Sequence, residues 1–118
     1  MSLDIYLYTP DKCPHCGKPL NDGAELFWQN ITHNLGKMAD EAGLYRLLWH
    51  PQESGINSAA DLIEPLEKGI AAMKADPPRF ERHNAPNGWG LYEHFVPWLE
   101  RLLVACKEHP TATVRSSI

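Results

Sequence analysis

Apolar residues alternate with polar or amphipathic ones over Leu3-Asp4-Ile5-Tyr6-Leu7-Tyr8. That two-residue period predicts a half-buried strand with Leu3, Ile5 and Leu7 on one face. Thr9-Pro10 ends it, because proline cannot donate to a ladder. The stretch 13–23 is dense in Pro, Gly, Asn and Asp and reads as turns. A second alternation over 24–31 sets Leu26 and Trp28 on one face, Phe27 and Ile31 on the other. The two strands predict an antiparallel hairpin.

From Thr32 the period lengthens to that of a helix. Leu35, Met38, Ala39 and Ala42 share a face, and Gly43 follows as a C-terminal cap. Residues 44–49 predict another turn or two before His50-Pro51. Ser58 opens the next helix with Asp61 as a capping-box partner, and Leu62, Ile63, Leu66, Ile70 and Met73 line its buried side. Pro65 inside that stripe predicts a kink or a restart with proline at the first helical position. Asp76-Pro77-Pro78 closes the segment, and 79–84 makes a single turn. The final helix is the clearest: Leu91, Phe95, Trp98, Leu99, Leu102, Leu103 and Cys106 form one stripe, with Pro97 in its early turns or at a kink. Residues 111–115 carry the β-branched content of a short strand.

Strands at the ends and helices between them give an α+β class: a small, mostly antiparallel sheet packed against about four helices. The 118 residues fit one domain, 1–118, with no repeat or linker to divide it. Usage of 43% hydrophobic and 22% charged residues is ordinary for a globular chain. Eleven basic against fifteen acidic residues give a net charge of −4, which argues against a nucleic-acid partner. No apolar run approaches the roughly 20 residues of a membrane span. Met1-Ser2-Leu3-Asp4 lacks the regions of a signal peptide. The expectation is a cytoplasmic protein that does not enter a membrane.

Chemistry concentrates in a few places. Cys13-Pro14-His15-Cys16-Gly17 resembles one knuckle of a zinc ribbon, in which a tight turn brings two thiolates onto one metal. Cys13 and Cys16 supply only two ligands. His15, His33, His50, a carboxylate or a second knuckle in a homodimer would complete the site. The alternative is a turn that carries two thiols, either reduced or joined to each other. Cys106 lies on the apolar stripe of the last helix and reads as a core cysteine.

The second candidate is Gln29-Asn30-Ile31-Thr32-His33-Asn34, where a strand passes into a helix. Helical spacing would turn Asn30 and Asn34 inward beside Leu35 and Met38, and leave His33 in solvent with Lys37 and Glu41. A ligand corner built on Asn30, His33 and Asn34 competes with plain capping of the helix by Asn30 or Thr32. Asn87-Gly88-Trp89-Gly90 is a loop whose Trp89 either clamps a ligand or covers the edge of the core. Tyr45, Trp49 and His50 form an aromatic group of the same double reading. No paired-histidine metal motif, phosphate loop or nucleophile elbow is present.

The start Met1-Ser2-Leu3-Asp4-Ile5-Tyr6-Leu7, with Asn30-Ile31-Thr32-His33-Asn34, Asn87-Gly88-Trp89-Gly90 and Ala105-Cys106-Lys107, resembles a group of short proteins from phage and bacterial genomes. The likeness spans nearly the whole chain. It implies a cytoplasmic, prophage-borne protein and transfers no activity. Two functions stay open. The favoured one is a small binding or interaction module, self-associating or bound to a protein partner, with the knuckle as a structural zinc clip. The other is a small enzyme or ligand-binding protein that uses the Asn30, His33 and Asn34 corner with Trp89 as a lid. A concave pocket with convergent polar groups would favour the second, and an exposed apolar patch the first.

Overall fold

The computed structural model describes residues 2–9 and 25–118. Its sheet has three antiparallel strands: β1 (Ser2–Tyr8), β2 (Glu25–Thr32) and β3 (Thr113–Ser117), in the order β2-β1-β3. Asp4 faces Asn30 on one side and Ser117 on the other. The hairpin and the third strand are as the sequence predicts, and β3 joins the free side of β1. Leu3, Ile5 and Leu7 are fully buried, as the alternation requires, and Val114 joins them from β3. Tyr6 and Tyr8 stack with ring centroids 5.6 Å apart on the opposite face, where Trp28 opposes Tyr6 in the register.

Five α-helices and two short 3-10 turns lie between β2 and β3 among the described residues. After the 3-10 turn His33–Leu35 come α1 (Gly36–Glu41) and α2 (Tyr45–Trp49). Gly43 ends α1 at φ 75°, a conformation that glycine takes without a Cβ penalty. A 3-10 turn, Gln52–Ser54, leads to α3 (Ala60–Ala75). The Asp61 carboxylate accepts the backbone N–H groups of Asn57 and Ser58 at 3.0 and 3.2 Å, the back-reaching half of a capping box.

Helix α3 runs through Pro65, so the restart expected there does not occur. The carbonyl that loses its partner belongs to Asp61, an exposed residue that water can serve. Pro97 repeats the arrangement in α5 (Tyr92–Glu108), where the freed carbonyl is that of exposed Glu93. α3 ends at Ala75, where the sequence predicts, and Pro77 and Pro78 also open a helix. They are the first residues of α4 (Pro77–Glu81), whose start tolerates their missing N–H groups.

The core lies between the sheet and the helices, with α3 and α5 as its main helical pair. Leu62, Leu66, Ile70 and Met73 meet Phe95, Leu99, Leu102 and Cys106 there, all but Ile70 wholly buried. Ile63, placed on the same stripe by periodicity, is only half-buried. Burial pushes the Cys106 thiol up to about 12, the signature of an inert core cysteine. No helix among the described residues is long and apolar enough to cross a membrane.

Candidate functional site

Thr32 ends β2 in extended backbone, and its hydroxyl accepts the N–H of Asn34 at 3.3 Å. That cap starts the 3-10 turn and brings His33, Asn34 and, one turn on, Lys37 to one edge of the molecule. The loop after α4 comes to meet them. Gly90, buried and at φ 119°, lets this loop approach closely: a Cβ there would stand 2.9 Å from that of Asn34. The Asn34 amide then donates to the carbonyl of Trp89 at 2.7 Å.

The two segments enclose an open cleft of about 750 Å³. His33, Asn34 and Lys37 form one wall, and Arg82, His83 and the 84–87 loop form the other. Two internal bonds shape that loop. The side-chain oxygen of Asn84 accepts the Tyr92 N–H at 2.8 Å, and that of Asn87 accepts the Trp89 N–H at 3.0 Å. A smaller hollow of about 240 Å³ lies beside it, between Thr32, Leu35, Trp89 and His94.

Glu41, at the end of α1, ties the cleft's second wall to its first. Its carboxylate accepts both Nε and Nη2 of Arg79, at 3.2 and 2.9 Å, and also the guanidinium of Arg82. His83 Nε2 stands 3.4 Å away. The Arg79 hydrogen bonds first, then those of Arg82 and His83, pull the Glu41 carboxyl down to about 2. Arg79, Arg82 and His83 sit at i, i+3 and i+4, the spacing that places side chains on one helical face.

Of the residues singled out in the sequence, the structure brings His33, Asn34 and the Trp89 backbone together. His33 is half-buried, not free in solvent: its Nδ1 accepts the Trp49 indole N–H at 2.7 Å. The expected Tyr45, Trp49 and His50 group is present, with Tyr45 stacked on Trp49 at 5.2 Å and edge-on to His50 at 5.9 Å. Asn30 does not turn inward and lies outside the cleft. It is still in β2, where the period is two, so its side chain is exposed and donates to Asp4 and Ser2 at 2.7 and 2.9 Å. Asn34 is likewise exposed. The Trp89 ring is 72% exposed and does not cover the core. Cys13, Cys16 and His15 lie outside the described residues.

Lys37, Glu41, Arg79, Arg82 and His83 were not expected at a site. Only the R-x-x-R-H spacing signalled a shared basic face, and nothing local pairs it with Glu41, some forty positions earlier. Among the described residues no group of three or more His, Cys, Asp or Glu side chains could hold a metal ion. No protein-family model matches this chain, and no curated protein or solved structure shows significant similarity to it.

Proposed function

We propose that this is a small ligand-binding protein whose site is the cleft between the 3-10 turn and the 82–87 segment. The observation that carries this reading is the convergence of His33, Asn34 and Lys37 with Arg82, His83 and Asn87 around a concavity of about 750 Å³, ample for a small molecule. Binding, not covalent catalysis, is the better match to the lining. It offers imidazoles, amides and cations but no hydroxyl or thiol nucleophile. The Cys106 thiol is buried in the core and out of play.

The test is a fragment screen followed by amide chemical shifts on the whole chain. Hits that perturb residues 33–37 and 82–90 support the reading. A screen without hits there overturns it.

A second reading rests on a separate observation. Trp28 is 51% exposed beside the stacked Tyr6 and Tyr8 on the open sheet face, a surface suited to an interaction module. Fragments that collect on Trp28 and spare the cleft would favour it. The zinc clip at Cys13 and Cys16 belongs to either reading. Elemental analysis is expected to find about one zinc per chain, or one per two chains in a shared site, and Cys13→Ser to lose it.

A further inference from the structure

We infer that the cleft takes an anionic group, the carboxylate or phosphate of a small ligand, held by Lys37 and Arg82. This rests on the ligand-binding reading above and adds the chemical class. The first argument is charge. The chain has fifteen acidic and eleven basic residues, yet among the described residues no Asp or Glu lines this cleft, whereas Lys37 and Arg82 both do. A surface that excludes the commoner charge and keeps the rarer one is complementary to an anion.

The second argument follows from which hydrogen-bonding groups already have partners. The Asn84 and Asn87 side-chain oxygens each accept a backbone N–H, a group that can only donate. The orientation of both amides is thereby fixed, and their NH₂ ends have no partner among the described residues. His33 accepts the Trp49 indole at Nδ1, so its neutral ring carries the proton at Nε2, another donor. The Lys37 ammonium makes no ion pair or hydrogen bond among the described residues. Among the described side chains of the lining, the remaining acceptors are chiefly the Asn34 oxygen and the His83 ring.

The Arg82 guanidinium is partly neutralised by Glu41, which it shares with Arg79. Glu41 holds the fork in place at the cleft wall, and one carboxylate cannot balance two guanidiniums and the ammonium of Lys37. The excess positive charge faces a cleft open to solvent. Charge-assisted bonds to an incoming carboxylate or phosphate are the strong interactions such a site can form.

The experiment is an amide chemical-shift titration of the full chain at constant ionic strength, with inorganic phosphate, succinate and the neutral polyol xylitol as separate probes. Saturable shifts at residues 34, 37, 83 and 87 with phosphate or succinate, and none with xylitol, are expected, the tighter anion identifying the group. Lys37→Met, which removes no ion pair or hydrogen bond among the described residues, should weaken that binding about tenfold while leaving the rest of the spectrum unchanged. Arg82→Gln should weaken it as well. If xylitol shifts the same residues as strongly and Lys37→Met changes nothing, the anion assignment is wrong while the ligand-binding reading stands. If neither anion shifts the cleft, the assignment is also wrong, and the fragment screen separately decides whether the cleft binds anything.

Discussion

The α3–α5 seam and the cleft corner are built on opposite logics. In the seam, every contact residue repeats at helical spacing within its own segment, and burial alone selects the faces: Leu62, Leu66 and Met73 against Phe95, Leu99 and Leu102. In the corner, few side chains are fully buried, and the geometry comes from single polar contacts between distant residues. Asn34 reaches Trp89, Trp49 reaches His33, and Arg79 and Arg82 reach Glu41. Burial is concentrated in the first region and long-range polar contact in the second. The difference shows how a small chain can vary the polar side chains of one corner without disturbing its core.

The sharpest way to break this comparison is to cut into the seam. Leu99→Ala removes a wholly buried side chain and should cost roughly 2–5 kcal/mol in a denaturant titration. A loss below about 1 kcal/mol would mean the seam does not dominate stability. A smaller effect tests how tightly the seam's neighbour is packed. A Cβ on Gly69 would stand 2.7 Å from the Leu44 side chain. Gly69→Ala should therefore destabilise by about 1 kcal/mol, because overpacking of roughly 1–3 kcal/mol outweighs a helix-propensity gain of about 1 kcal/mol. Stabilisation instead would show that Leu44 moves aside freely.

The smallest effect belongs to the corner and is read through pH. Glu41 sits at about 2 in the folded protein, below the ordinary carboxylate value of 4.5. Its folded value is depressed, so its contribution is present above about 4.5 and is lost as pH falls through about 2. Urea titrations of the native protein and Glu41→Gln should differ at neutral pH, with the native protein the more stable, and converge near the lower limit. Curves that stay parallel throughout would remove Glu41 from the structural role assigned to it.

The same contrast explains what could be read from the sequence. Leu3, Ile5 and Leu7, and the stripe from Phe95 to Cys106, were legible because burial imposes a period on neighbouring residues. Asn30 was misread because the spacing between Asn30 and Asn34 fits a helix, while the strand continues to Thr32. Asp76-Pro77-Pro78 reads correctly as the end of α3, but the start of α4 at the same prolines is not legible, since proline marks either boundary of a helix. The Glu41 cluster leaves no trace beyond the R-x-x-R-H spacing of its partners. A carboxylate that meets two arginines across the fold has no period, and its partners are chosen by chain geometry that only the assembled core provides.

The position of β1 in the middle of its sheet has a consequence for how the molecule is made. Asp4 finds Asn30 early in synthesis but must wait for Ser117 before its other side is paired. The second closure spans a loop just over fourfold longer, an added entropic cost of roughly 1.2 kcal/mol. Until then the strand destined for the centre is an edge strand, with a row of open N–H and C=O groups along the side that β3 later covers. In synthesis β1 precedes both of its neighbours and gains the second of them only once β3 has been made, so protection from intermolecular pairing during that interval must come from outside the sheet.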